Sequence, residues 1–92
     1  MMKWLVCFDI SDNKKRNKVV EYLEEFGVRV QKSVFEIELN LNNLNKLKKR
    51  LNKTIEKYDS IRFYPVNANQ IDKIIILGVK IAPFELSGIK FL

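Results

Sequence analysis

Residues 5–27 read LVCFDISDNKKRNKVVEYLEEFG, in which one aspartate, Asp9, ends an apolar run and a second, Asp12, follows three residues later, just before a cluster of cations. The apolar run is short, contains aromatic and β-branched residues, and stops at a polar cluster. These features predict a buried first strand over residues 3–8. Asp9 is therefore expected at the C-terminal tip of that strand, and its position beside so much positive charge needs a chemical reason.

The polar turn after Asp9 leads into a predicted first helix. Ser11 and Asp12 are residue types that favour the N-cap of a helix, and Gly27 supplies a C-terminal stop. The apolar residues that recur at helical spacing between these signals are Val19, Leu23 and Phe26. The turn is thus predicted to join the first strand to a helix.

The next segment, residues 28–39, alternates between apolar and polar residues but changes phase at residues 31–33. Because strand side chains change face at every residue, the phase change predicts a bulge or a bend in a second strand. A second helix is predicted to follow, with cap residues in the sequence NLNN. Its apolar residues recur at steps of three, four and four at Leu44, Leu47, Leu51 and Ile55.

The remaining apolar segments predict a third strand over residues 61–64 and a fourth over residues 74–79. Residues 73–79 are apolar on both faces, which predicts a place in the sheet centre or against a partner. The fold class predicted is α+β, a ferredoxin-like βαββαβ arrangement with an antiparallel sheet and both helices on one face. This domain is assigned to residues 1–80, and the tail, residues 81–92, is expected to add a short strand that crosses to the partner subunit.

The length and the charge of the chain restrict the number of domains and the kind of partner that can be expected. A chain of 92 residues with 47% hydrophobic content predicts one domain that has little core to spare. Extra apolar surface on a strand would then be used for self-association, so a homodimer is expected. The chain has 17 Lys and Arg residues against 11 Asp and Glu residues, an excess that favours polyanionic partners, nucleic acid above all.

The single cysteine, Cys7, has no partner for an internal disulfide or a cysteine-based zinc site, and this usage fits a cytoplasmic protein. The N-terminal apolar run WLVCF is too short for a signal peptide, and the longest apolar run, IIILGV, is too short to span a membrane. No membrane partner is expected. The chain also has no histidine, so any catalysis must use carboxylates, a metal or cations.

The predicted first helix carries its charges in the order opposite to the one that the helix dipole favours. The cations near its N-terminus are Lys14, Lys15, Arg16 and Lys18, and the acids near its C-terminus are Glu21, Glu24 and Glu25. One interpretation is a contact with a nucleic-acid phosphate at the helix N-terminus, and the other is a solvated basic face. The lysines of the second helix fit a solvated face better.

Asp9 also has more than one interpretation. Its carboxylate could accept backbone hydrogen bonds from the next turn, as Asp12 could by acting as an N-cap. One aspartate cannot hold Mg²⁺ alone, because this ion takes one or two carboxylates together with waters and substrate phosphates. If the tips of the first strands meet across a two-fold axis, two copies of Asp9 could share a metal that activates water or polarises a phosphodiester.

The stretch at residues 5–27, followed by RVQKSVFEIEL at residues 29–39, resembles the second of the numbered CRISPR-associated (Cas) protein families. This family comprises the small endonuclease-like subunit that partners the CRISPR integrase. Its members have an apolar first strand that ends in aspartate, a polar turn, a basic helix, a glycine, and a second strand close to R-x-Q-x-S-V-F-E. All of these features occur here in order. The resemblance is specific over residues 4–39 and compatible but generic over residues 40–79.

The resemblance implies a ferredoxin-like homodimer that acts in the acquisition of CRISPR spacers, where it sits between integrase dimers and holds duplex DNA. It also implies Mg²⁺-dependent endonuclease activity on single-stranded RNA or duplex DNA, as reported for some members. Asp9 matches the metal-binding aspartate of the family, and Arg16 matches its helix-one cation. The other matched positions are Ser11 and Asp12 in the turn, and Arg29, Gln31, Ser33 and Phe35 in a motif that lines or supports the dimer cleft.

Three functional hypotheses follow. The first is a metal-dependent endonuclease in which paired Asp9 residues bind Mg²⁺, water attacks phosphorus, and Arg16 and Arg29 steady the charge. The second is a non-catalytic DNA-binding scaffold that bridges integrase dimers, in which the basic helices contact phosphates and the tail strand docks the integrase. The residues expected to bind nucleic acid are Lys14, Lys15, Arg16, Lys18 and Arg29. The third is a toxin-like ribonuclease of similar fold that acts alone.

Overall fold

The computed structural model describes residues 1–67 and 73–78 of the chain. Its elements, in chain order, are β1 (Met2–Asp9), α1 (Asn13–Glu24), β2 (Gly27–Gln31), β3 (Val34–Leu39), α2 (Leu41–Thr54), β4 (Ser60–Pro65) and β5 (Ile75–Gly78). The strands form one antiparallel sheet in the order β2-β3-β1-β4-β5. This architecture confirms the predicted α+β, ferredoxin-like fold class. The predicted tail strand, residues 81–92, and the end of the predicted fourth strand, Val79, lie outside the described residues.

The core lies on one face of the sheet. Every second residue of β1 is buried there, at Trp4, Val6 and Phe8, as the pleat of a strand requires. The helices complete this core with Val19 and Leu23 from α1 and with Leu44, Leu47 and Leu51 from α2. Because all of them join one cluster, both helices are held by the same face of the sheet. No helix in the described part of the chain is long and apolar enough to cross a membrane.

The opposite side of the sheet, termed the second face, carries the residues of β1 that alternate with the core. Leu5 and Cys7 are half-buried there, and Asp9 follows them on the same face. Strand pairing places Arg62 of β4 beside Cys7 on this face, and Ile76 of β5 beside Arg62. The second face is therefore partly apolar, and it ends at the aspartate that the sequence singled out.

Both helices begin at the residue types that the sequence predicted. The Asp12 side chain accepts a hydrogen bond from the backbone N–H of Lys15 at 2.9 Å, which makes Asp12 the N-cap of α1. Asn40 caps α2 in the same way by accepting from the N–H of Asn43 at 2.8 Å. The N-cap interpretation of Asp12 is thus confirmed.

The prediction of one bent strand over residues 28–39 is wrong, because these residues form two strands. Two strands between the helices are what the predicted order βαββαβ requires, and a single bent strand did not supply them. β2 and β3 pair as an antiparallel hairpin, and the phase change falls on the turn at Lys32 and Ser33. A register irregularity between Arg29 and Gln31 adds a bulge just before this turn. A hairpin and a bent strand both reverse the parity of the apolar residues, so the pattern alone does not separate them.

Gly27 has a different role from the predicted helix stop. α1 ends earlier, with Glu25 as its C-cap, and Gly27 opens β2 opposite Ile37. A Cβ atom at Gly27 would lie 1.8 Å from the backbone oxygen of Glu36, far inside contact distance. The glycine is therefore required by the close approach of two strands rather than by the end of the helix.

β5 lies at an edge of the sheet that the described strands form, so they do not give residues 73–78 the central place that was one of the two predictions for residues 73–79. The other, a place against a partner, stays a prediction. Among the described strands β5 pairs only with β4, and the central position belongs to β1. Ile75 and Leu77 still pack against the core cluster, whereas Ile76 points to the second face. The two apolar faces of this segment thus reflect an edge strand that contacts the core on one side only.

Candidate active site at the tip of the first strand

Asp9 is the last residue of β1 and pairs with Ser60, the first residue of β4. Its neighbour Phe8 is buried in the core, so the alternation of the strand sends the Asp9 side chain to the second face, where it is exposed. Within residues 1–67 and 73–78 the Asp9 carboxylate has neither a hydrogen-bond partner nor an ion-pair partner. Both carboxylate oxygens are therefore available to a ligand.

A second aspartate, Asp59, accepts a hydrogen bond from the turn that follows β1 and one from its own loop. Asp59 is only 2% exposed. One of its oxygens accepts from the N–H of Ser11 at 3.2 Å, and the other accepts from the N–H of Glu56 at 2.8 Å. The interpretation in which Asp9 serves this turn as a hydrogen-bond acceptor is wrong, because Asp59 fills that role from 48 residues away.

Arg16 holds the same turn from the side of helix α1. Its Nη1 donates to the backbone oxygen of Ile10 at 2.9 Å, and its Nη2 donates to the side-chain oxygen of Asn13. The guanidinium group is thus engaged with the protein on two of its nitrogens. Arg16 and Asp59 together fix the backbone at residues 10 and 11, directly after Asp9.

The lysines of α1 differ in their surroundings. Lys15 forms an ion pair with Glu56 at 3.1 Å, and no ion pair joins Lys14 or Lys18 to an acid in the described part of the chain. A groove between α1 and α2, termed the lysine groove, has a volume of about 290 Å³. It is lined by Lys14, Lys15, Lys18, Tyr22, Lys53 and Thr54. The fold thus brings Lys53 of the second helix to the cations of the first.

The residues of the second-strand motif are divided between the core and the hairpin turn. Phe35 is fully buried in the core, and the guanidinium carbon of Arg29 lies 5.9 Å from the centre of its ring. Arg29 also donates from Nε and Nη2 to the backbone oxygen of Lys32, at 3.0 and 2.7 Å. The backbone oxygen of Ser33 accepts from the N–H of Phe8 at 3.0 Å, while Gln31 is exposed.

These contacts place three connections at one end of the sheet. The hairpin turn meets the end of β1 through Ser33, the turn after β1 follows Asp9, and the loop before β4 contributes Asp59. Arg29 and Arg16 each brace one of these turns, so the structure gives both a positioning contact. Their predicted catalytic roles stay predictions. Asp59 was missed by the sequence reasoning because its sequence neighbours, KYDS, are typical of an ordinary polar loop.

Cys7 lies on the second face, two residues before Asp9. Burial raises the pKa of its thiol above the ordinary value, and the nearby charge of Arg62 lowers it in part. The thiol therefore stays protonated at neutral pH, where it is a weak nucleophile and a weak metal ligand.

A metal at this site would have Asp9 as its protein ligand. Within residues 1–67 and 73–78 no group of three or more Asp, Glu or Cys side chains is arranged to hold a metal ion. One chain thus offers a single unpartnered carboxylate at the strand tip. This set fits a magnesium ion that takes its other ligands from a second carboxylate, waters and a phosphate, and it does not fit an ion that needs an all-protein cage.

The comparisons with known proteins agree with this architecture. The family model described as CRISPR associated protein Cas2 matches residues 2–74. A protein of Synechocystis sp. named CRISPR-associated endoribonuclease Cas2 3 is 39% identical over 79 residues, which are 85% of this chain and 86% of the relative. A protein of Chloroflexus aurantiacus named CRISPR-associated endoribonuclease Cas2 1 is 38% identical over 84% of this chain and 85% of its own length.

Solved structures give the same result. The crystal structure of Streptococcus pyogenes Cas2 has a TM-score of 0.69 and 34% sequence identity, and the match covers 84% of this chain and all of that one. A chain in a partial Cas6-RT-Cas1–Cas2 complex has a TM-score of 0.64 and 33% identity, over 79% of this chain and 81% of that one. The resemblance seen in the sequence is therefore confirmed, and this chain belongs to the CRISPR associated protein Cas2 family.

Proposed function

We propose that this chain is a Mg²⁺-dependent endonuclease that hydrolyses phosphodiester bonds as a homodimer, with the metal held by Asp9 from both copies. The observation that carries the proposal is the state of Asp9, an exposed carboxylate with no partner among the described residues. The turn beside it takes its acceptor from Asp59 instead. The names of the relatives, which are endoribonucleases, support the same activity.

The residues around Asp9 would have three roles: binding of the metal, positioning of the backbone, and binding of phosphates. Bound Mg²⁺ supplies a positive charge that stabilises the charge developing on a phosphodiester. Asp9 holds that ion, while Arg16 and Asp59 fix the backbone that follows Asp9. Lys14 and Lys18 have no ion-pair partner in the described part of the chain and can bind the phosphates on either side of the cleaved bond.

The second face of the sheet is the surface through which two copies would associate. It combines apolar side chains of β1 and β5, such as Leu5, Cys7 and Ile76, and small domains often bury such surface between copies. Asp9 lies on this same face, two residues beyond Cys7. Contact between two second faces can therefore bring both Asp9 residues into one interface, as a shared metal requires.

The activity can be tested by cleavage of single-stranded RNA and duplex DNA, in the presence of Mg²⁺ or of EDTA. We expect cleavage by the wild type with Mg²⁺, none with EDTA, and a loss of at least 100-fold in Asp9→Asn, which loses a ligand charge. Glu21→Gln is the matched control, because it makes the same charge change at an exposed acid of α1 that lies outside the strand tip and the lysine groove. Equal cleavage by wild type and Asp9→Asn would refute the proposal.

A second candidate function is a non-catalytic nucleic-acid scaffold that partners the CRISPR integrase. It is favoured by the lysine groove, which does not involve Asp9, and by the similar chain found in a complex with Cas1. In this case duplex DNA would bind with equal affinity to wild type and to Asp9→Asn, in EDTA as in Mg²⁺. Neither protein would cleave any substrate. Cleavage that needs both Asp9 and Mg²⁺ would exclude a purely architectural role.

A further inference from the structure

A second cavity lies between the turn that follows β1 and the loop that precedes β4. This cavity, termed the turn pocket, has a volume of about 290 Å³ and is lined by Ser11, Asp12, Glu56, Lys57, Tyr58 and Asp59. Its volume is near the lower limit of pockets that take small organic ligands. None of the roles described for Asp9, Arg16 or the lysine groove accounts for Tyr58, which stands at this pocket.

Tyr58 is 79% exposed. Among the strongly exposed large hydrophobic residues in the described part of the chain, it is the one aromatic residue. A ring in this position contributes little to the core, so stability does not explain it. The Nζ atom of Lys57 lies 5.5 Å from the centre of the ring, within the range of a cation–π contact. An exposed aromatic ring next to a cation has the features of a platform on which a nucleobase can stack.

The charges around the turn pocket favour a base over a phosphate. Its acids are Asp12, Glu56 and Asp59, and a phosphate would be repelled by them. The Ser11 hydroxyl and the second oxygen of Asp12 have no hydrogen-bond partner within the described residues. Carboxylate and hydroxyl oxygens accept hydrogen bonds from the amino groups of bases. A base can therefore enter the pocket while its phosphate stays outside, near Lys57.

The turn pocket and Asp9 are close along the chain. Ser11 follows Asp9 by two residues, a separation that spans at most about 7 Å of extended backbone. Ser60, the partner of Asp9 in the sheet, follows Tyr58 by two residues. A nucleotide strand whose phosphate lies at Asp9 can thus place a neighbouring base at the turn pocket.

We propose that the turn pocket binds one unpaired base of a single-stranded nucleic acid, stacked on Tyr58, next to the phosphate that Asp9 addresses. The inference rests on the proposed function and adds a base-binding subsite to it. This subsite would favour single strands, because the bases of an intact duplex are stacked on one another and cannot reach the ring. Tyr58 is thereby assigned to substrate binding and to the selection of single strands.

The test is a set of binding titrations in EDTA, so that cleavage does not interfere. Wild type, Tyr58→Phe and Tyr58→Leu are titrated with a short single-stranded RNA, with duplex DNA, and with an abasic strand of the same length. We expect Tyr58→Leu to bind the RNA roughly tenfold more weakly and Tyr58→Phe to bind it as well as the wild type, because phenylalanine keeps the stacking face. Leu41→Ala, which changes an exposed apolar residue at the start of α2, should have no effect.

The abasic strand and the duplex decide between stacking and a general loss of binding. Tyr58→Leu should bind both of them as the wild type does, since neither presents a free base. An equal loss on all three ligands, or no loss on the RNA, would overturn the inference. All of these titrations measure binding in EDTA, so their outcome does not depend on whether the protein cleaves. In the same way, a finding that Tyr58 does not contribute to RNA binding would not change the outcome of the cleavage test of Asp9.

Discussion

Two aspartates at one end of the sheet have different roles. Asp59 holds the loop structure, and Asp9 is exposed to a ligand. Asp59 is buried and accepts two backbone hydrogen bonds, which commits both of its oxygens to the protein. Asp9 is exposed and keeps its oxygens available, at least toward the described residues. Burial keeps the Asp59 carboxylate away from a ligand in solvent, whereas the exposed Asp9 carboxylate at the strand tip can bind a metal.

Asp59→Ala should lower the free energy of unfolding by about 3 kcal/mol. The change removes two hydrogen bonds to a charged acceptor and leaves the N–H groups of Ser11 and Glu56 without partners. Urea unfolding followed by circular dichroism measures the loss. The control is Asp12→Ala, an exposed N-cap whose removal should cost only about 1 kcal/mol. Equal losses in the two variants would show that Asp59 does not hold the turn.

The sequence predicted Asp9 and missed Asp59 for a physical reason. Asp9 follows an apolar run with strand parity, so its place at a strand tip depends only on local pattern. Asp59 owes its role to a contact with Ser11 that spans 48 residues, and no local pattern carries such a contact. Gly27 is a similar case, since the close approach of Glu36 requires it and the sequence offers only a helix stop.

At the scale of elements, the two helices cooperate in the lysine groove. α1 alone has its cations at the end where the helix dipole disfavours them, which costs stability. α2 adds Lys53 to the same groove. The sequence pattern alone favours a solvated face for the lysines of α2. The other α2 lysines near a cavity, Lys48 and Lys49, line a separate groove beside β5, so the second helix does not present one uniform basic surface.

Lys53 and Lys46 make a matched pair on α2, because both are exposed and only Lys53 lines the lysine groove. If a phosphate of duplex DNA binds in the groove, Lys53→Ala should make the slope of log affinity against log salt shallower by about 0.9. Lys46→Ala should leave that slope unchanged. Titrations of both variants between low and moderate salt supply the comparison. An identical slope for both variants would mean that the groove takes no phosphate.

The strands show how far periodicity predicts a sheet. It located β1, both helices and β4, whose alternation is uninterrupted. It mistook the β2–β3 hairpin for a bend, because Lys32 and Ser33 lack the glycine or asparagine that marks a tight turn. It left β5 between the sheet centre and a partner, because an apolar composition does not distinguish a strand with two neighbours from a strand at the edge of the described sheet.

For the whole molecule, the number of carboxylates sets the oligomeric state that the proposed activity needs. Within the described residues no group of three or more acids is arranged to hold a metal, and Asp9 is the exposed carboxylate at the strand tip. Two copies of Asp9 would supply the two protein ligands of a magnesium site. The second face, which carries Leu5, Cys7 and Asp9 in succession, is the surface on which the two copies can meet. Light scattering at micromolar concentration should therefore report a dimer, and a monomer would exclude the shared site.

A mixing experiment separates a shared metal site from two independent ones. Wild type and Asp9→Asn are combined in equal amounts, unfolded and refolded together, so that subunits pair at random. If each active site needs Asp9 from both copies, only dimers of two wild-type chains cleave. The mixture should then have about a quarter of the activity of the same total amount of wild-type protein. If each chain carries its own site, about half should remain, which would contradict the shared site. Glu21→Gln in place of Asp9→Asn controls for refolding, because a variant that keeps Asp9 and changes an exposed acid of α1 outside the site should leave the activity of the mixture unchanged.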